Sequence, residues 1–433
     1  MPENDSKSQP PTAAHAASLL SQRSASPDRT RETAVLLVLA IVNGVLAFDR
    51  LAVNFLSPYI LAELRLSNTQ FGLLSSFFSI AMSTSGLLLS AIADAGGRRR
   101  RMLIVTLVGF SILSAGSGLA IGFGTLVLAR VLLGLAEGPV VPLTQALMAA
   151  ESAPTRRGFN MGAMQICGGF LIGAALGPIV TTALAESFGW RTAFFASALP
   201  GFVAAALVYL TLRRDRPPAA AMEASPTPAD TAVPIRVLLR SRNLRLSMAI
   251  AGIFTAWLMT QNVFMPLYLV RVAQFTPVEM SHVLSAAGIG GFLGGILVPA
   301  LSDRIGRRLS VIIFGTGAML APLAILLLSS SEAVLVAAMV CAWIVTGCAP
   351  LVLATIPSES VPAGRVTTAV AMSMGTAEIL GGVISPPIAG WLADSYDLRA
   401  PFILSIALAL CCGLLGLFLT ETAPAVCERK RAR

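Results

Sequence analysis

Charge is what this 433-residue chain most lacks: Asp, Glu, Lys and Arg together make up 12% of it. An ordinary soluble domain carries about 25%, so the shortage excludes a soluble enzyme and a charge-rich disordered protein. Histidine is scarcer still, with only His15 and His282, and neither lies centrally in an apolar block. Zinc chemistry and histidine-based acid–base work therefore have almost no material, and no metal or other cofactor is expected. Of the six cysteines, Cys167, Cys341, Cys348, Cys411 and Cys412 lie inside apolar blocks, and Cys427 is near the end. No pair has metal-ligand or redox spacing in a polar setting, which excludes a disulfide scaffold and predicts free thiols.

What is abundant is hydrophobic sequence, 55% of the residues, at a mean hydropathy of +0.78. It comes in blocks of about twenty residues, the length a helix needs to cross a bilayer core about 30 Å thick. Six blocks, at 34–58, 70–93, 102–122, 125–149, 159–185 and 191–211, precede a Pro- and Arg-rich stretch. Six more follow it, at 246–270, 281–301, 309–329, 333–356, 366–391 and 399–420. The expected fold is an all-α integral membrane protein of twelve transmembrane helices in two six-helix halves. Its expected parts are a disordered cytoplasmic tail (1–32), a first bundle (33–211), a cytoplasmic linker (212–245), a second bundle (246–420) and a basic cytoplasmic tail (421–433). The first 32 residues hold no apolar run longer than Ala16–Leu20, too short for a signal peptide.

The net charge of +9 fits membrane topology better than nucleic-acid binding, because the basic residues sit between apolar blocks. Only Arg65, Arg191, Arg271 and Arg399 fall in loops on one side, and Arg50 and Arg130 fall within blocks. Every other Lys and Arg lies on the other side, which predicts that both ends are cytoplasmic.

The halves repeat a loop. Asp94-Ala-Gly-Gly97-Arg98-Arg99 follows the second block, and Asp303-Arg-Ile-Gly306-Arg307-Arg308 follows the eighth, at identical internal spacing. An acid at a helix end can pair with the arginines beyond it and lock a short turn. Asp94, Arg98, Asp303 and Arg307 are the expected gate residues. Twelve blocks as six plus six, a long central polar stretch and this loop resemble the major facilitator superfamily over residues 34–420. The first copy departs from the family pattern, with Ser90 for a usual glycine and Ala95 for a usual basic residue. The resemblance implies two halves rocking about a site near the membrane midplane. It also sets the fifth and eighth blocks against each other, with the rows Gly169/Gly173/Gly177, Gly290/Gly294 and Gly291/Gly295 as close-packing surfaces.

Charges within apolar blocks are the informative positions, since each costs about 2.5–3.5 kcal/mol or more at a helix centre. Asp49 and Arg50 are in the first block, Arg130 and Glu137 in the fourth, and Glu378 in the eleventh. Seven residues separate Arg130 from Glu137, about 10.5 Å of rise and 700° of turn, so both share a face. If the first and fourth helices face each other, two acids and two arginines form one cluster at matching depth. Buried ion pairs are poor stabilisers, so the cluster points to function: an arginine grips an anion's carboxylate while a proton neutralises the displaced acid.

Asp49-Arg50, Arg130-x6-Glu137 within Ala129–Pro142, and Gly189-Trp-Arg-Thr-Ala-Phe194 resemble the anion:cation symporter family of sugar-acid transporters, sialin and vesicular glutamate carriers. That resemblance implies proton coupling at Asp49 and Glu137 and anion binding at Arg50 and Arg130. Spinster-like lipid transporters share a similar acid–arginine arrangement, and Pro357-Ser-Glu-Ser-Val-Pro362 and Ser385-Pro are similar to theirs, so lipid or drug export by the same fold stays open. Glu378, an acid with no basic residue in its own block, is either a neutral hydrogen-bonded carboxyl or a further proton-coupling site. Gln165, Gln261 and Asn262 are expected substrate contacts, whereas Trp257 and Tyr268 are expected packing or interface aromatics. The expected protein is a monomeric, proton-coupled symporter of a small organic anion in a bacterial inner membrane. Its partners would be that anion, protons and the bilayer, with no nucleic acid. A transporter-like sensor lacks an output domain, and a membrane-embedded enzyme lacks a nucleophile or metal constellation.

Overall fold

In a computed structural model of the chain, residues 29–215, 235–424, 426 and 427 are described, and they contain helices and no strand. Among them, eleven helices are long and apolar enough to cross a membrane. They are α1 (Arg29–Phe55), α2 (Asn68–Ala95), α3 (Arg99–Ser117), α4 (Phe123–Glu151), α5 (Arg157–Phe188), α6 (Trp190–Thr211), α7 (Arg242–Arg271), α8 (Pro277–Ile305), α9 (Arg307–Leu328), α10 (Glu332–Glu359) and α11 (Val366–Ser395). The last apolar block forms α12, Ala400–Gly416, of 17 residues. At 1.5 Å per residue it is about 25 Å long, just under the hydrocarbon thickness. The expectations for residues 1–28, 216–234 and 428–433 lie outside the described residues.

Helix ends follow local chemistry. Ser67 caps α2 with Gln70 reaching back, and Thr276 and Glu279 do the same for α8, each pair satisfying two amides that lack intrahelical partners. Both repeated loops turn on a glycine with positive φ, +59° at Gly97 and +104° at Gly306, a conformation that other residues enter at a cost. A short helix, Ser57–Glu63, follows α1. Its Glu63 accepts hydrogen bonds from the Trp190 indole and from Arg191 at the start of α6, which explains the Gly189-Trp-Arg segment. Those two donors, the indole first, hold the Glu63 carboxyl below the usual carboxylate range.

Three helices contain wider, π-helical turns: Cys167–Leu176 in α5, Leu351–Thr355 in α10 and Glu378–Ile384 in α11. Each ends one residue before a residue–proline pair, at Pro178, Pro357 and Pro386. Proline has no amide hydrogen and its ring collides with the carbonyl four residues back, so the preceding turn widens to relieve the collision.

The two halves meet along α5 with α8 and along α2 with α11. A Cβ on Gly288 would lie 2.4 Å from the Ala174 carbonyl carbon, and one on Gly291 would lie 2.3 Å from the Phe170 ring. The α5–α8 pairing is therefore as expected, with the Gly291/Gly295 row on Phe170 and Ile166 of α5, but the other two glycine rows serve other neighbours. Gly173 packs on Ala47 of α1, Gly290 and Gly294 pack on Val340 and Ile344 of α10, and Gly169 faces open space. Helix α5 meets α8 through Ile166, Phe170 and Ala174 and turns Gly168 and Gly173 to α1.

On the side away from the Asp94 and Asp303 loops, here the opposite face, α2 and α11 converge. Gly72 meets the Pro386 carbonyl, and Gly390 meets the Asn68 carbonyl. Asp394, at the end of α11, accepts from the Asn68 amide (3.0 Å) and side chain (2.9 Å) and from the Thr69 amide (2.8 Å) and hydroxyl (2.6 Å). One carboxylate thus satisfies the first two amides of α2 and complements its dipole. Ser76 adds a hydrogen bond to the Val383 carbonyl at 2.6 Å.

Gly288→Val is expected to destabilise the α5–α8 seam by about 1–3 kcal/mol through overpacking, whereas Gly169→Val, in open space, leaves stability unchanged. Thermal unfolding of the two purified variants checks this; equal melting would mean that the seam yields freely.

Candidate functional site

Four of the five charges within apolar blocks assemble as one cluster because α4 turns both of its charges to one face, and the fifth, Glu378, lines the cavity beside it. Gly134 and Gly138 let α4 lie directly on α2, where a Cβ would meet the Phe78 carbonyl at 2.7 Å and the Met82 carbonyl at 2.3 Å. That close approach brings Arg130 and Glu137 to α1. Glu137, fully buried, accepts from the Arg50 Nε at 3.3 Å. Asp49, 1% exposed, accepts from Ser114 of α3 and from Ser197 of α6 at 3.4 Å. Arg130, 2% exposed, lies 5.3 Å from the Phe194 ring of α6 and is in electrostatic contact with both acids. The Asp49 and Glu137 carboxyls are also in electrostatic contact with each other. Asp49 Oδ2, Glu137 Oε1 and the Arg130 Nε and Nη2 have no hydrogen-bond partner among the described residues. The four groups expected from the sequence form one cluster, with hydrogen-bonding capacity left over on both signs.

A cavity with about 100 Å³ of space for water adjoins the cluster. Arg50 and Arg130 form one wall, Glu378 and Asn262 stand on the side of the second half, and Phe71 and Phe78 supply apolar surface. The Arg50 side chain is 33% exposed and its guanidinium lies 5.6 Å from the Phe78 ring. Asp49 and Glu137 do not line the cavity, so the arginines stand between the acids and the space. Glu378 opens the π-helical turn of α11. A Cβ on Gly382 would meet both its Oε1 at 2.5 Å and the Ser79 hydroxyl of α2 at 2.7 Å. The glycine leaves room for the acid to lie at the junction of the halves.

The remaining expected contacts separate. Asn262 lines the cavity, Gln165 is half-buried in α5 away from it, and Gln261 is fully buried with neither amide atom partnered among the described residues. Asn262 and Gln261 are adjacent, so a helix can aim only one of them at the cavity. Trp257 packs 5.3 Å from Phe254 and 5.8 Å from Trp343, and Tyr268 packs 4.9 Å from Phe402. At the loops, Asp94 pairs with Arg99 at 2.6 Å while Arg98 is exposed. Asp303 pairs with Arg307 at 2.6 Å, and Arg307 also reaches Glu359 at 3.1 Å. Sequence reasoning missed Asp394, Ser114 and Ser197. An acid near a helix end such as Asp394 carries no signal of its own, and the serines gave none because α3 and α6 are adjacent to Asp49 only in the fold.

Comparison with known proteins agrees with this architecture. The family model described as the Major Facilitator Superfamily matches residues 39–378. The hexuronate transporter of Bacillus subtilis is 28% identical over 278 residues, 63% of this chain and 65% of that protein, so the chain spans just under two-thirds of it. The cis,cis-muconate transport protein of Acinetobacter baylyi is 26% identical over 385 residues, 86% of this chain and 91% of that one. A solved bacterial homologue of the human lysosomal transporter Spinster, inward-facing and unoccupied, superposes with a TM-score of 0.72 at 17% identity. It covers 90% of this chain and 97% of its own.

Asp394→Ala removes four hydrogen bonds between the halves and is expected to loosen the opposite face. Spin labels at Gln70 and Tyr396, in a background without other cysteines, should give one narrow distance distribution in the parent and a broadened, longer one in the variant. Identical distributions would mean that the glycine contacts alone hold this face.

Proposed function

This chain belongs to the Major Facilitator Superfamily, a family of membrane transporters rather than enzymes, and on that footing we propose that it is a proton-coupled symporter of small organic anions. The observation that carries the reading is the Arg50–Glu137 contact behind the cavity wall. While Glu137 is ionised it occupies Arg50. A proton on the Asp49–Glu137 pair relieves the repulsion between the two acids and leaves the cluster with two positive charges against one negative. The surplus positive charge reaches the cavity as the Arg50 guanidinium, whose planar fork matches a carboxylate. Ser114 and Ser197 steady Asp49, and Arg130, beside both acids, sets the field in which they exchange the proton. Anion and proton thus enter together, because either alone leaves an uncompensated charge within the membrane.

Hexuronate and cis,cis-muconate, named for two relatives, are both carboxylates, which supports an organic-acid substrate for this chain. Asn262 and Glu378 line the side of the cavity contributed by the second half, Asn262 as an amide contact and Glu378 as a third acid near the arginines. We assign twelve spans with both ends cytoplasmic in a bacterial inner membrane, α12 completing the set and the Asp94 and Asp303 loops lying inside. The Asp394 clamp then closes the outer face. The loop acids and arginines are assigned to gating on the inner face, the second copy being locked through Glu359.

Glu137→Gln mimics the protonated acid. In proteoliposomes, substrate exchange without a gradient should survive in this variant while accumulation driven by a proton gradient vanishes. Full gradient-driven accumulation would remove Glu137 from coupling. Arg50→Lys keeps the charge but loses the fork, so apparent affinity for a hexuronate or muconate should fall at least tenfold, about 1.4 kcal/mol. Parent affinity in a counterflow assay would assign Arg50 to packing.

A further inference from the structure

The starts of α3 and α9 are each capped by an acid of the same half, one residue further into α3 than into α9, and the side chains around the two caps differ. In the first half, the Asp215 carboxylate accepts from the Arg100 amide at 2.8 Å and the Arg101 amide at 3.0 Å. In the second, the Glu421 carboxylate accepts from the Arg307 amide at 2.7 Å and the Arg308 amide at 3.3 Å. The second residue of each helix then reaches a carbonyl on the last helix of its half: Arg100 to Tyr209 at 2.6 Å, Arg308 to Leu417 at 2.8 Å. Counted from the helix starts, the third residue is Arg101 in one half and Leu309 in the other. The residue before the capping acid is Arg214 in one and Thr420 in the other. Both caps are made to backbone amides, so the side chains of Arg101 and Arg214 need another explanation.

Both are exposed and line a groove between α3 and α6 with Arg100 and Tyr209. Asp215 is the acid in the groove, its oxygens hold the Arg100 and Arg101 amides, and among the described residues it forms no ion pair with the Arg101 or Arg214 side chain. The Arg100 Nε is buried without a partner among the described residues, and its guanidinium lies 5.0 Å from the Tyr209 ring. Toward the membrane the wall turns aliphatic, with Ile104 and Val105 lining the groove, Val105 60% exposed and neighbouring Leu210 77% exposed. Three guanidinium groups at the mouth call for phosphate, and an apolar wall running from them into the hydrocarbon calls for an acyl chain.

We propose that this groove binds the headgroup of an anionic glycerophospholipid, Arg101 and Arg214 holding its phosphodiester and Ile104 and Val105 bedding a chain. Basic pockets between transmembrane helices suit such headgroups, and the forked arginine donors match phosphate oxygens. The site requires only that the chain sits in a bilayer, so it stands apart from the anion-symport reading.

Native mass spectrometry of the full chain, with cardiolipin or phosphatidylethanolamine added in detergent, tests the proposal. Arg101→Leu/Arg214→Thr places the residues of the second half in the first. It should lower cardiolipin occupancy at least fivefold and leave phosphatidylethanolamine occupancy unchanged. The reverse exchange, Leu309→Arg/Thr420→Arg, should add one cardiolipin and keeps the proposal testable if the first variant folds poorly. Cardiolipin occupancy equal to the parent in the first variant, or no gain in the second, would overturn it. So would stabilisation of the parent by inorganic phosphate equal to that by cardiolipin, which would indicate a soluble anion.

Discussion

The contact between Arg50 and Glu137 organises the molecule. Two acids and two arginines buried together sum to zero charge, and a bilayer penalises any departure from that sum. This constraint explains why α1, α3, α4 and α6 all contribute to one cluster. Asp49 needs the hydroxyls of Ser114 and Ser197, and Arg130 needs the Phe194 ring. It also explains the order from cavity to interior, cations first and acids behind. In the proposed cycle a visiting anion meets positive charge directly, and a proton passes to the acids before that charge is released.

The two halves divide the labour unequally. The first holds the charge cluster on helices brought close by Gly134 and Gly138. The second contributes Asn262 and Glu378 and carries two of the three proline-widened turns. Between them, the closed face depends on a carboxylate of one half seated on a helix start of the other. Such a joint is made by a few hydrogen bonds and one dipole, so it can part and re-form without disturbing either core.

Much of this was legible in the sequence, for a physical reason. Charges inside apolar blocks are costly, so Asp49, Arg50, Arg130, Glu137 and Glu378 stood out, and the seven-residue spacing placed Arg130 and Glu137 on one face. The repeated Asp-x-x-Gly-Arg-Arg loop was equally visible, since its glycine must take a positive φ. Facing was harder to read. Glycine rows report that a close neighbour exists but not which one, so Gly173 and Gly294 were set on the α5–α8 seam instead of against α1 and α10. Adjacent Gln261 and Asn262 are both polar and central, and only the packing of α7 decides which meets the cavity. The partners of Asp49 and the role of Asp394 depend on helices far apart in the chain, which no local pattern encodes.

The widened turn at Glu378–Ile384 has a consequence for how α11 is read. A π-helical turn holds an extra residue, so the side chains beyond it point about 100° away from where a regular helix would send them. The stretch before Glu378 and the stretch carrying Asp394 therefore belong to two different angular registers on a single rod. One helix can then present an acid to the central cavity and, a few turns later, another acid to the start of α2, two directions that an unbroken helix of this sequence would not serve together.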